Sequence, residues 1–441
     1  MDAGLSRFRG TMAGLAVGDA LGAPLEGLKP GRIRQVYGRV EDFVDPGSAF
    51  QDKPWRWRMP GLYTDDTQQA LLLADTLVKC YGFDAQFFAN RLLEMAEADS
   101  GAEFGAFRGT GRQFREAMKR LRQGEKPLLT GSLSAGIGAS MRVAPVGLYY
   151  ADDEEGIIRA AVEQGLLTNR DPRALEAAAG VAFCVAQSAS GKWQDKKPEL
   201  RIEMLVQFME TAEHIIREEY LPYLPVETWD HCARVASAVR NFRFYLNMEL
   251  TSVWRQIVTE ANRGFPAFKI SDPAQGFALA GPVTAMFLGI SSRSYSEGVL
   301  CAINLGRDTD SVAAITGAIL GAQGGKEQIP ENWQEGIQNL QQVLLRGDAL
   351  WQSSFQGLAI EDVLQMEQRL TRKESAARKA LREKLSQHGR KKETKKKKIP
   401  LGKKTTGDQE DPHKLLEERL RRRKKLKKPK KVKAPWRGGK E

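Results

Sequence analysis

Residues 10–27 read GTMAGLAVGDALGAPLEG, and the reading of this stretch decides the fold. Gly10, Gly14, Gly18 and Gly22 recur at a four-residue step, which puts all of them on one face of a helix. A glycine inside a helix costs about 1 kcal/mol relative to alanine, so such a helix needs tertiary compensation. Close approach of a neighbouring backbone at the centre of the fold supplies it, because a face without Cβ atoms admits one. Two acids remain unexplained. Asp19, and Glu26 just past the break at Pro24, stand in or beside a segment that should be buried.

Outward from this stretch, helical spacing dominates and strand alternation is scarce. Ala70, Leu73, Ala74, Leu77 and Val78 share a face, and the pattern returns from Leu166 and Leu167 into RALEAAAGVAFCVAQ and again in IEMLVQFMETAEHIIREEY. The spacing predicts a compact all-α body, with the more polar helices of residues 191–264 as an insertion or an outer layer. Residues 274–292 carry no charge, but Pro282 and the repeated glycines favour a buried core helix over a membrane span.

Charge divides the chain. From residue 371 to 441 there are 29 Lys and Arg against 9 Asp and Glu, while the whole chain is +12, so the preceding body is mildly acidic. The expected organisation is an all-α domain over residues 1–370 and a low-complexity basic tail over 371–441. That tail is too poor in apolar residues to fold alone, apart from short helices such as one begun by Asp411 and Pro412. Its charge density suits a polyanion such as RNA, a ribosome or DNA. Cys80, Cys184, Cys232 and Cys301 are scattered without a C-x-x-C pair, and residues 1–14 do not read as a secretory signal. A reducing, cytoplasmic setting is expected.

The stretch YTDDTQQALLLADTL, Tyr63–Leu77, opens a helix with two adjacent carboxylates although one cap suffices. Thr64 or Asp65 can cap it, and Asp65-x-x-Gln68 has the form of a capping box. Downstream, GRDTDSVAAITGAILGA repeats the theme: Asp308 can cap, which leaves Asp310 in surplus. Adjacent carboxylates repel unless a cation or further donors sit between them. Thr64, Asp65, Asp66, Asp308, Asp310 and Ser311 together offer hard oxygen ligands for divalent cations, provided that the two helix starts face one another.

Five segments in order, GTMAGLAVGDALGAPLEG, YTDDTQQALLLADTL, GIGASMRVAPVGL, LLTNRDPRALEAAAG and AINLGRDTDSVAAITGAILGA, resemble the ADP-ribosylglycohydrolase family from about Phe8 to about Trp333. The resemblance implies a compact orthogonal bundle of helices around two Mg²⁺ or Mn²⁺ ions, and hydrolysis of the glycosidic bond between ADP-ribose and an acceptor. It implies Thr64, Asp65, Asp66, Asp308, Asp310 and Ser311 as metal ligands, Asp65 or Asp66 as the group that activates water, and Glu26 as an acid that gates or orients the scissile bond. The loops GTGRQF and GIGASMR become the phosphate and ribose cradle, with Gly109, Gly111, Gly138, Ser140, Met141 and Asn169 as substrate-binding residues. The implied partner is an ADP-ribosylated protein or a small ADP-ribose conjugate.

Some positions depart from the family pattern. Ser311 stands where threonine is frequent and keeps the hydroxyl. Arg307 replaces a frequent glycine and is expected to point to solvent rather than to a diphosphate. Ile137 replaces an asparagine and Asn169 a histidine, changes that bear on rate or substrate preference. A catalytically weak ADP-ribose binding module, or a nucleic-acid-associated protein acting through its tail, are the alternative expectations.

Overall fold

The glycine face of residues 10–22 does meet another backbone, and the partner is the second acid-led helix. In the computed structural model, residues 2–50, 53 and 56–397 are described, those beyond 384 by backbone alone. Five helices position the site: α1 (Ala3–Gly22), α2 (Asp65–Cys80), α3 (Pro172–Ala189), α4 (Thr309–Gly324) and α5 (Val363–Lys397). α1 and α4 run antiparallel in contact. A Cβ on Gly10, Gly14, Gly18 or Gly22 would strike the carbonyl oxygen of Gly321, Gly317, Ala313 or Thr309 respectively. The four-residue step is therefore matched on both helices, and it carries the end of α1 to the start of α4. There Thr309 Oγ1 donates to Gly22 O at 2.9 Å.

The fold is all-α, as the spacing predicts; among the described residues the one extended pairing is an isolated bridge between Ser132 and Asn169. Every residue of α3 is buried, which its run of small side chains permits. The periodic segment around Leu166 is broken, however: one helix ends at Leu166 and α3 starts at Pro172, capped by Asp171. The intervening turn carries Asn169. The uncharged segment 274–292 forms a buried helix only from Gly281 to Ser291, with Pro282 in its first turn. No helix of the described residues is long and apolar enough to cross a membrane. Cys184 and Cys232 are buried, Cys80 and Cys301 half-buried, and all four are free thiols.

Packing of the body continues past residue 370. A first compact unit spans Met1–Glu383 and a second Lys384–Glu441. Thr371 and Glu374 are buried; Thr371 Oγ1 donates to Ala106 O at 2.6 Å and accepts from Arg108 Nη1 at 2.8 Å. Charge counting placed Thr371 and Glu374 with the tail because it ignores which face of α5 packs. The segment 398–441, with the helix expected after Asp411, lies outside the described residues.

Candidate functional site

Asp19 explains how α2 can begin with two carboxylates. From α1, its carboxylate accepts hydrogen bonds from the Thr64 amide (2.9 Å) and hydroxyl (2.8 Å) and from the Thr67 amide (3.0 Å) and hydroxyl (2.6 Å). Burial pushes the Asp19 carboxyl above its ordinary range, and these four donors oppose the rise. A helix start held by an acid from another helix leaves its own acids free. Thr64 is the N-cap residue, and the expected capping box does not form. Gln68 instead donates to Ala106 O at 2.9 Å and to Glu367 at 2.7 Å. Asp308 likewise occupies the cap position of α4 without making a side-chain cap.

The starts of α2 and α4 face a common cavity of about 200 Å³, lined by Glu26, Asp65, Asp66, Asp308, Asp310 and Ser311. Two backbone bonds fix the Glu26 turn to the entry of α4: Gly27 N donates to Arg307 O (2.6 Å) and Arg307 N to Leu28 O (2.7 Å). Burial, then Asp19 and Glu26, raise the Asp65 carboxyl to about 7. Burial and Glu26 raise Asp308 to about 6. Asp66 and Asp310 are pushed well above the carboxylate range, first by burial and then by the neighbouring acids.

Two oxygens in this cluster, Asp66 Oδ2 and Asp310 Oδ1, are buried without any hydrogen-bond partner. Such atoms cost free energy unless something meets them. Glycines keep the surroundings open: a Cβ on Gly276 would stand 2.5 Å from Asp308 Oδ2, and one on Gly109, at φ +94°, 3.0 Å from Asp65 Oδ1. The donor set consists of hard oxygens and fits a divalent cation of the magnesium type. Among the described residues no three Asp, Glu, His or Cys side chains converge closely enough to hold an ion alone. The fit therefore depends on a mixed set, in which the Ser311 hydroxyl and water would have to complete the carboxylates.

Beneath the acids lies Arg142, which the motif GIGASMR contains but sequence reasoning left without a role. Its guanidinium is fully buried and donates to Gln69 Oε1 (2.8 Å), Gln164 Oε1 (2.6 Å) and Thr168 Oγ1 (2.8 Å). Gln69 passes the contact on, donating to Asp65 Oδ2 at 2.7 Å. Burial pulls Arg142 down to about 9, still cationic at neutral pH, and the field of Asp65 and Asp66 opposes that fall. The available signal for Gln69 was its position one turn after Asp65.

Gly109, Gly111, Gly138, Met141 and Asn169 line the cavity, whereas Thr64 and Ser140 do not. The Thr64 hydroxyl is turned to Asp19, and the Ser140 hydroxyl is buried without a partner. Asn169 accepts from Thr168 Oγ1 (2.8 Å) and donates to Ser134 O (3.1 Å), so it ties the glycine-rich loop to the turn before α3. Ile137 lines the wall and packs toward Gly281. Arg307 differs from expectation. It reaches neither solvent alone nor the cavity but pairs with Asp272 at 2.6 Å. Its φ of +69° explains why glycine suits the position, since a side chain there costs about 1 kcal/mol or more.

Fold and site together define an all-α scaffold with an acid-rich cavity, and comparison with known proteins gives the class. The family model for ADP-ribosylglycohydrolase matches residues 1–375. An uncharacterized protein of Archaeoglobus fulgidus is 31% identical over 334 residues, 76% of this chain and 92% of that relative. ADP-ribosylhydrolase ARH3 of Bos taurus is 29% identical over 347 residues, 77% of this chain and 90% of its own. ADP-ribosylarginine hydrolase Tri1 of Serratia proteamaculans is 24% identical over 348 residues, 77% and 79% of the two chains. A solved structure described as an ADP-ribosylglycohydrolase-related protein complex superposes with a TM-score of 0.56 at 26% identity, covering 80% of this chain and all of that one. The chain belongs to the ADP-ribosylglycohydrolase family, enzymes that hydrolyse a glycosidic bond of ADP-ribose.

Proposed function

We propose that the protein removes ADP-ribose from an ADP-ribosylated protein or a small conjugate, using two divalent cations, Mg²⁺ or Mn²⁺, in the acid cavity. The observation that carries the reading is the pair of orphaned buried oxygens on Asp66 and Asp310, which stand on the two helix starts of the family pattern. Asp65, Asp66, Asp308, Asp310 and Ser311 would hold the ions from the cavity wall, while Thr64, its hydroxyl bound to Asp19, fixes the start of α2 that carries the first two. Bound there, such ions would supply Lewis acidity for the ribose hydroxyls and for the attacking water.

The chain's own residues then do the rest. Asp65 or Asp66 accepts the proton that the attacking water gives up. The carboxylates stabilise the positive charge that develops on the ribose as the bond to the acceptor breaks. Glu26, half-buried at the mouth, orients the scissile bond and guides the departing acceptor. Backbone N–H groups around Gly109, Gly111 and Gly138 suit the diphosphate, and Met141 and Asn169 shape the wall beside it. Arg142, through Gln69, keeps Asp65 in place. Four free cysteines suit a reducing compartment such as the cytoplasm, and the basic tail is a polyanion-binding arm.

The test is release of free ADP-ribose from serine- and arginine-linked peptides with Mg²⁺ or Mn²⁺, in the wild type and in Asp66→Ala and Asp308→Ala. Release that needs metal and is lost in both variants is the expected result. ADP-ribose binding without release from any conjugate would instead make the protein a binding module.

A further inference from the structure

Six non-glycine residues among those described have a positive φ, and of these Arg307 alone adjoins an acid of the cavity, Asp308. Such a conformation is strained for a residue with a Cβ and persists only where its surroundings hold it. What holds Arg307 is the segment 271–280. Arg307 Nε donates to Asp272 Oδ2 at 2.6 Å and Nη2 to the Ser271 hydroxyl at 3.1 Å. The next amide along the chain, that of Asp308, donates to Ala274 O at 2.9 Å. Thr284 Oγ1 donates to Pro273 O at 2.9 Å. Gly276 then lies so near the acids that a Cβ on it would stand 2.5 Å from Asp308 Oδ2. Past the cavity the same segment joins the glycine-rich loop, where the Ala278 amide donates to Ala135 O at 2.8 Å.

The segment is therefore a strap between the entry of α4 and the glycine-rich loop, and Gly276 at its middle is part of the cavity wall. The Arg307–Asp272 pair closes its first end. Both side chains are largely covered, 28% and 19% exposed, so water and salt screen the pair less than they screen an open surface pair.

We propose that Arg307 and Asp272 form a latch that positions this strap, and that the latch tightens the hold of the cavity on ADP-ribose. The proposal rests on the hydrolase reading, which sets the ribose against Asp308 and the other acids. Arg307 is a positioning residue: its guanidinium points to the strap, and the strap carries the effect to the cavity. With the latch closed, the Gly276 backbone is ordered before the ligand arrives, and binding loses less freedom. An arginine near a diphosphate has a second way to act, through its charge alone. The two differ in sign at Asp272. Removing that carboxylate leaves the guanidinium unpaired, which strengthens the binding of an anion if charge is what counts and weakens it if the pair is a latch.

Arg307→Gly and Asp272→Ala in the full chain test the latch by two readouts. Without ADP-ribose, hydrogen exchange of the Ala278 and Asp308 amides should be about tenfold faster in both variants. The melting temperature of Arg307→Gly should nevertheless hold or rise, because glycine accepts the positive φ without strain. ADP-ribose, titrated by calorimetry, should bind each variant about tenfold more weakly, and the double variant no more weakly than either single one. In turnover KM should rise by the same factor while kcat holds. Unchanged exchange in both variants would overturn the latch, whatever the fate of the hydrolase reading. Faster exchange with unchanged ADP-ribose affinity would overturn its role in binding, and tighter binding by Asp272→Ala would assign Arg307 to the phosphates through its charge. Wild-type protein that binds no ADP-ribose would overturn the hydrolase reading instead, with the exchange rates still deciding the latch.

Discussion

At the scale of single residues, the site is a set of carboxylates whose charge nothing in the polypeptide fully meets. Neutralising one of them should therefore separate stability from function. In chelator, Asp310→Asn should raise the stability of the protein by about 1–3 kcal/mol, because an unpartnered buried oxygen loses its charge. With Mg²⁺ or Mn²⁺ present, the same variant should lose the metal-induced rise in melting temperature and release ADP-ribose about 100-fold more slowly or worse. Thermal melts with and without metal, beside turnover rates, check both halves. Asp19 should behave in the opposite way. Asp19→Asn sets an NH₂ group against the amides and hydroxyls of Thr64 and Thr67, and a loss of about 1–3 kcal/mol should appear in denaturant unfolding even in chelator. The acid pairs were legible in the sequence because a second carboxylate at a helix start has no local explanation. The role of Asp19 was not, since its partners lie 45 and 48 residues away and no local pattern reports them. Arg142 was hidden for a similar reason: its partners are amides and hydroxyls rather than an acid at helical spacing.

At the scale of elements, the contact of α1 with α4 brings the two acid-led starts to one cavity. Gly14→Ala would place a Cβ against the carbonyl of Gly317, and the overpacking should cost about 1–3 kcal/mol in spite of the better helix propensity of alanine. Gly31, in the helix Pro30–Tyr37, has no neighbour within 4 Å of its would-be Cβ, so Gly31→Ala should instead gain about 0.4–1 kcal/mol. Equal effects of the two substitutions in urea titrations would contradict the packing account. The sequence showed one glycine face and predicted a close partner, but it did not say which helix supplies it. That information lies in the matching step of Ala313, Gly317 and Gly321, which sequence reading did not pair with α1. Packing runs past residue 370 because Thr371 and Glu374 sit on the packed face of a helix whose other face is basic. A chain ending after Leu370 should accordingly melt well below one ending after Glu383, since only the longer one keeps the Thr371 bridge between Ala106 and Arg108.

At the scale of the whole molecule, proton and metal binding are linked. The carboxyls of Asp65 and Asp308, at about 7 and about 6, lie above their ordinary range in the folded protein. The folded state therefore holds protons that the unfolded chain has already released. Stability from this source is complete below the ordinary carboxylate pKa near 4 and is lost as pH rises through about 6 to 7. Metal-free protein should grow less stable from pH 5 to pH 8, and the stabilisation given by Mg²⁺ or Mn²⁺ should grow over the same interval, because the ions replace protons. Melting temperatures at several pH values, with metal and with chelator, check the sign. The most direct test of the account strips the full chain of metal and reloads it with counted equivalents of Mn²⁺ while ADP-ribose release from a conjugate that the enzyme cleaves is followed. Release that is absent in the stripped protein and saturates at two ions per chain is the predicted result. Undiminished release by the stripped protein would contradict it.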